Sequence, residues 1–378
     1  MHNAYIQALA VSDSNLFAGT YYGDVFLSTN NGTSWSKVIS FTNSAVSGLA
    51  ASGTNIFAGT WGGVFLSTNN GTTWNAVNDG LTTSNVVALA VSGTNIFAAN
   101  GYNFVSLSTH DGASWTVVNN GLTDFSVSVL YASGTNLFAA GSTYCGAYLS
   151  TNNGINWTAV DNGLTSTSTV MSFAASGTNL FAGTYSAGVY LSTNNGTSWT
   201  AENNGIPSYY TVFALAVSGT NIFAGNNVGG VYLTTNNETS WTAVNNGLTN
   251  SFIYTLAISG TNLFAGTRGV GLWKRPLSEF TAVTKEVADL PKDFTLSQNY
   301  PNPFNPTTTI SYSLPSSSNI KLIVYNTLGQ TIKTLESGYK QAGNYSVNFN
   351  AADLPNGIYF YKLEAGSFSQ IKKMILVK

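Results

Sequence analysis

The segment Asn-Leu/Ile-Phe-Ala occurs seven times, with its Phe at positions 17, 57, 97, 138, 181, 223 and 264. The spacings are 40, 40, 41, 43, 42 and 41 residues. A fixed period of this size restricts a chain to a few repeat architectures. Every copy reads alike: an apolar strand such as 86–91, a Ser-Gly-Thr-Asn turn, a short strand such as Ile96-Phe97-Ala98, and a variable glycine-rich loop. A third strand such as 64–67 and a tight turn lead to a fourth, such as 74–77. Four short strands per unit, separated by turn residues, is the pattern of a β-propeller blade. Helical repeats would need long stretches of 3.6-residue period, and the chain has none. The reading is all-β: a seven-bladed β-propeller over residues 1–283.

Composition agrees. Charged residues are 7% of the 378, against about 25% in a typical soluble domain. Hydrophobic residues are 43% and aromatics 13%, enough to build a large core. The net charge of −2 argues against a nucleic-acid surface. No apolar run approaches the ~20 residues of a transmembrane segment. The single Cys145 excludes a disulfide framework and a cysteine zinc site.

The turn between third and fourth strands carries a sharper motif. It reads Ser28-Thr29-Asn30-Asn31-Gly32-Thr33-Ser34-Trp35 in the first unit, and its Trp recurs at Trp74, Trp115, Trp157, Trp199 and Trp241. It resembles the Asp-box (BNR) repeat, Ser-x-Asp-x-Gly-x-x-Trp, of sialidase-like propellers. Asn stands for the Asp at 30, 69, 152, 194 and 236, and His110 in one copy. The hydroxyl and short amide fold the turn through backbone hydrogen bonds, Gly supplies a positive φ, and Trp packs between sheets. In the seventh unit, 272–283 aligns without a gap on a box and its fourth strand, with Phe280 at the Trp position and the box residues replaced. Ring closure is expected from packing and edge pairing of blades one and seven, with no exchanged strand.

Composition shifts after Val283. All eight Trp precede it, whereas six of eight Pro and nine of eleven Lys follow. Residues 1–283 carry nine acids against four bases, a net of −5; residues 284–378 carry a net of +3. Residues 284–293 read as a linker and 294–378 as a small Ig-like β-sandwich. The run Gln298-Asn299-Tyr300-Pro301-Asn302-Pro303-Phe304-Asn305-Pro306 resembles the opening of the type IX secretion C-terminal sorting domain (type A). So do 325–330 with Gly329, 354–359 with Gly357 and Tyr359, and the closing Lys372-Lys373-Met374-Ile375-Leu376-Val377-Lys378. The resemblance implies export by an outer-membrane translocon, removal of the domain by a sortase, and a secreted or surface-anchored product of a Bacteroidetes-like bacterium. Cleavage would fall in or just after the linker. The family also uses an N-terminal secretory signal; Met1-His2-Asn3-Ala4 before a propeller strand is not one, so that signal is expected to be missing from this chain.

In a meander the first and third turns share one rim. The second turn and the link to the next blade share the other. The near-identical Ser-Gly-Thr-Asn and box turns therefore occupy one rim, and the variable loops occupy the opposite, candidate binding rim. Second turns contribute Tyr21, Trp61, Tyr102, Tyr144, Tyr185, Asn227 and Arg268 to it. Links contribute Phe125, Tyr209, Tyr210, Phe252 and Tyr254. Aromatics with few charges suit sugar rings or peptide side chains, so the ligand is a polysaccharide or a protein; packing on neighbouring blades is the competing role.

Catalysis finds little support. A sialidase-type site needs three arginines, and residues 1–283 hold Arg268 and Arg275 alone. A glycoside hydrolase needs two carboxylates at a set separation. Here Asp79, Asp111, Asp161 and Glu238 sit at repeat turn positions, while Asp24, Asp124 and Glu202 have no evident partner base. His2 and His110 make no metal site, Cys145 has no activating neighbour, and no cofactor motif is present. Arg268 is the propeller cation to test against an anionic ligand. Three classes stay open: a glycan- or polymer-binding propeller, a structural or protein-binding surface protein, and a hydrolase.

Overall fold

The computed structural model describes residues 4–101, 104–122, 126–141, 146–165, 168–235, 240–280, 293–316, 318–340 and 343–378. The chain divides into two compact units, Met1–Phe280 and Thr281–Lys378. Among the described residues there is no α-helix; Leu277–Glu279 forms a single 3-10 turn.

The described residues of the first unit form seven antiparallel sheets, each with its strands hydrogen-bonded in chain order. The first sheet comprises Ile6–Ser12, Asn15–Thr20, Asp24–Ser28 and Ser36–Ser40. Five further sheets repeat this four-stranded meander, and the seventh has Ile253–Ser259, Asn262–Thr267 and Leu272–Pro276. Its turn residues form the 3-10 helix in place of the Ser-to-Gly turn of the other sheets. The expected fourth-strand residues 281–283 lie outside the described residues.

The repeat is a core pattern. Phe17, Phe57, Phe97, Phe138, Phe181, Phe223 and Phe264 are all among the largest fully buried side chains. First strands pack side by side in chain order, and Ile6–Ser12 packs against Ile253–Ser259. In five of the sheets a glycine on the second strand faces a β-branched residue at the start of the next sheet. A Cβ on Gly19 would lie 2.5 Å from Val46 Cγ1, one on Gly59 2.7 Å from Val86, and one on Gly225 2.5 Å from Ile253. Gly266 meets Ile6 in the same way, at 2.8 Å. The seventh sheet thus joins the first as the first, second, fifth and sixth sheets join their successors. The Gly271 N–H donates to Ala4 O across this seam at 3.1 Å, and no described strand is shared between the two sheets.

The second unit is a two-sheet sandwich. Thr295–Leu296, Thr307–Leu314 and Gly343–Asn350 form one sheet; Thr331–Lys340, Ser318–Tyr325, Gly357–Ala365 and Phe368–Leu376 form the other. Alternating residues of both meet in one core that includes Ile310, Tyr312, Leu322, Tyr361 and Met374.

Candidate ligand-binding rim

One rim of the first unit is built for turn stability. Ser28 Oγ accepts from Gly32 N at 2.8 Å, and Asn30 Oδ1 accepts from Ser34 N at 2.9 Å. The bond to Gly N recurs from Ser67, Ser108, Ser150 and Ser192. The residue before each Gly is also left-handed, as in Asn31 at φ 54° followed by Gly32 at 75°. Asn is the side chain that tolerates this backbone best after Gly, which accounts for Asn-Asn-Gly. At His110 the imidazole Nδ1 lies 2.8 Å from Thr109 Oγ1 and the turn is otherwise kept.

Tryptophans then staple neighbouring sheets. The indole N–H of Trp115 donates to Val77 O, that of Trp157 to Val118 O, that of Trp199 to Val160 O and that of Trp241 to Glu202 O, at 2.7–2.8 Å. Each acceptor lies one sheet back. Trp74 bonds inside its own turn, to Gly71 O. Trp35 and Trp74 are half-buried, the other four buried.

The opposite rim holds the second turns and the links, tied together by backbone bonds: Phe41 N to Gly23 O, Tyr185 N to Thr169 O, Arg268 N to Phe252 O. Its aromatics are open. Tyr21 is 45% exposed, Trp61 47%, Tyr185 55% and Tyr209 70%. Tyr102, Tyr144 and Phe125 lie outside the described residues, as do Asp124, Cys145, Asn236, Glu238 and His2. Asn227 is half-buried and its Oδ1 accepts from Thr211 N at 3.1 Å, so it braces the link. Burial and the neighbouring Tyr209 hold the Tyr210 phenol above its ordinary pKa, keeping it neutral.

Two clusters form here. Tyr21 meets Trp61 edge-on at 6.1 Å, and Tyr5 and Tyr22 complete the group at 5.4–6.5 Å from their neighbours. On the sixth and seventh sheets Phe213 stacks on Phe252 at 5.4 Å, with Tyr254 at 4.7 Å from Phe252. The exposed Arg268 lays its guanidinium over Phe252 at 5.2 Å. Tyr5, Tyr22 and Phe213 were not anticipated from the repeats. Tyr5 precedes the first strand and thus occupies the link position of the first sheet. Phe213 and Tyr254 occupy the bulge where strand register shifts, between Val212 and Ala214 and between Ile253 and Thr255. A bulge re-aims one side chain, and the repeat alone does not reveal it. Three buried oxygens on links of this rim, Ser44 Oγ, Thr83 Oγ1 and Asn85 Oδ1, have no hydrogen-bond partner among the described residues.

Acidic groups are sparse. Asp24 pairs with Lys37 at 3.4 Å and Glu279 with Arg275 at 2.9 Å. Among the described residues no three His, Cys, Asp or Glu side chains converge on a metal position, and no helix is long and apolar enough to cross a membrane.

In the second unit the Asn-Tyr-Pro-Asn-Pro-Phe run clamps the last strand. Phe304 is buried, its N–H donates to Ile375 O and its carbonyl accepts from Val377 N, at 2.9 and 3.0 Å. Asn302 Oδ1 accepts from Ile375 N at 2.9 Å, and Asn299 Nδ2 donates to Pro301 O and Thr308 Oγ1. The peptides before Pro301 and Pro303 are cis. Pro306 O accepts from Ala351 N, Gly329 closes a turn at φ 76°, and the Tyr359 hydroxyl donates to Pro355 O. Gly357 opens its strand; Asn305, Lys373 and Lys378 are exposed and Lys372 half-buried.

Residues 298–378 match the family described as the secretion system C-terminal sorting domain. No curated protein sequence matches the chain significantly. Among solved structures, PorZ, a surface component of the type IX secretion system of Porphyromonas gingivalis, is similar at TM-score 0.56 and 16% identity. That match covers 100% of this chain, which spans only 60% of the PorZ chain. YCF48 bound to D1 peptide gives TM-score 0.61 at 11% identity, over 73% of this chain and 94% of that one. A GH74 enzyme of Niastella koreensis gives 0.56 at 19% identity, over 72% of this chain and 43% of that one. At such identities the likeness is one of fold: the first unit is propeller-like. Residues 298–378 are a type IX sorting domain, and a domain of this kind marks its chain as secreted or attached to the outer surface.

Proposed function

We propose that the chain is a non-enzymatic, seven-bladed propeller of the Asp-box kind that binds a glycan or other surface polymer through its variable rim. The propeller would span residues 1–283, with a linker at 284–293 and an Ig-like sorting domain at 294–378. The translocon and sortase of the type IX system would be the export partners. The observation that carries this reading is the row of exposed aromatics, Tyr21, Trp61, Tyr185 and Tyr209, on the rim that holds the variable loops. Open rings on a rigid scaffold offer apolar faces to pyranose C–H groups.

Glycan-array binding by the full chain, lost in the Trp61→Ala/Tyr185→Ala double variant with unchanged melting temperature, is the expected result. Binding indifferent to both substitutions removes the reading. One observation favours a second: YCF48, of similar fold, is solved with a bound peptide. Retention of a protein partner on the wild-type chain, lost in the same double variant, with a blank glycan array would establish that alternative.

A further inference from the structure

The two aromatic clusters of the variable rim are parts of one arc. Phe213 on the sixth sheet touches Phe252 and Tyr254, and Phe252 carries Arg268. The next residue, Gly269, lies against Tyr5, the position of a Cβ there being 3.6 Å from the Tyr5 ring. Tyr5 leads through Tyr21 to Trp61 on the second sheet. The arc therefore runs across four consecutive sheets of the ring, as an extended polymer requires.

Its charge is equally specific. Arg268 is an exposed cation of this rim with no carboxylate partner among the described residues, whereas Lys37 is paired with Asp24. Its ring contact and the tether of its carbonyl to Asn250 Nδ2 at 2.8 Å hold the turn in place. A guanidinium so presented, with its fork free, takes a carboxylate through paired N–H donors. The propeller unit's net charge of −5 opposes densely charged polyanions. A ligand with isolated carboxylates among apolar ring faces satisfies both constraints. From this geometry we infer that the rim binds a uronic-acid-containing glycan, with one sugar carboxylate on Arg268 and neighbouring rings along the Phe252–Tyr5–Trp61 arc. This rests on the glycan reading above and names its ligand class.

The test sets uronate oligosaccharides against their methyl esters on an array, then titrates the full chain with a xylotriose carrying a single glucuronic acid and with its methyl ester. Wild type is expected to prefer the acid at least about tenfold, the value of one charge-assisted pair. Arg268→Gln should abolish that preference and Arg268→Lys restore it in part. Equal binding of acid and ester, both lost in Trp61→Ala/Tyr185→Ala, overturns the acidic ligand and leaves the glycan reading standing. A blank array for charged and neutral glycans alike overturns both. Tighter binding of a polyglutamate peptide than of any uronate overturns the inference in favour of an acidic protein ligand.

Discussion

The Arg275 guanidinium donates from Nη1 to Val244 O over 3.1 Å. Val244 stands three residues after Trp241, and in the four preceding sheets the equivalent carbonyl, on Val77, Val118, Val160 or Glu202, takes an indole N–H from the next sheet. The seventh unit has Phe280 at the tryptophan position, and Phe has no donor. The lost function is thus split between two side chains. Phe280 fills the space, fully buried and 4.9 Å from Phe223. Arg275 supplies the hydrogen bond and lies over the Phe280 ring at 4.7 Å.

Arg275→Met should therefore destabilise the first unit by about 1–3 kcal/mol, because a buried carbonyl loses its partner. Glu279→Gln should cost under about 1 kcal/mol: Glu279 is half exposed in its pair with Arg275, and such pairs contribute little. Denaturant unfolding of both variants checks the contrast. Equal losses would mean that the ion pair, and not the Val244 bond, fixes Arg275.

Trp157 tests the staple itself. Trp157→Phe keeps most of the ring and deletes the bond to Val118 O, a loss of about 1–3 kcal/mol. Trp157→Ala adds a cavity next to Val118 and Leu130 and should cost about 3–5 kcal/mol. A Phe variant as stable as wild type would show the indole N–H to be dispensable.

Much of this architecture was legible because the repeats write it several times. The buried Phe of each Asn-Leu/Ile-Phe-Ala segment, the Ser-to-Gly turn bond and the segregation of near-identical and variable turns all follow from period and residue type. The seam was less legible: nothing in the one-dimensional pattern pairs Gly266 with Ile6, since they lie 260 positions apart, and only the ring makes them neighbours. The candidate site was legible as a list of rim aromatics but not as an arc. Tyr5 and Phe213 owe their places to the seam and to a bulge, both products of tertiary packing.

The glycines of the Ser-to-Gly turns make a prediction for a residue outside the described set. At Gly32, Gly71, Gly112, Gly154 and Gly196 φ lies between 75° and 84°. A Cβ there would also press on the preceding sheet, 2.7 Å from Val77 Cγ2 at Gly112 and 2.9 Å from Val118 Cγ2 at Gly154. Glu238 holds this position in the sixth copy. Glu238→Gly should raise the melting temperature by relieving about 1–2 kcal/mol of left-handed strain, and Gly154→Glu should lower it. An unchanged or lower value for Glu238→Gly would mean that this copy turns differently.

Tyr361 should make the sorting domain less stable at alkaline pH. Its hydroxyl donates to Ser297 O at 2.7 Å and accepts from Asn299 N at 2.8 Å, tying the opening of the domain to its central strand. Burial pushes the phenol up to about 12. The folded domain thus favours the neutral phenol, while the unfolded chain ionises near pH 10. The stabilisation is complete below about pH 10 and is lost as pH rises from there through about 12. Tyr361→Phe should lower stability at pH 7 by about 1–3 kcal/mol, since the Asn299 N–H is left unpaired. It should also flatten the decline between about pH 10 and 12. A residual slope remains from Tyr312, likewise raised by burial and by its bond to Glu336. Urea titrations of the full chain, read at the methyl signal of Met374 in the sandwich core, separate this domain from the propeller-like unit. A variant that keeps the wild-type slope would place the alkaline transition elsewhere in the domain.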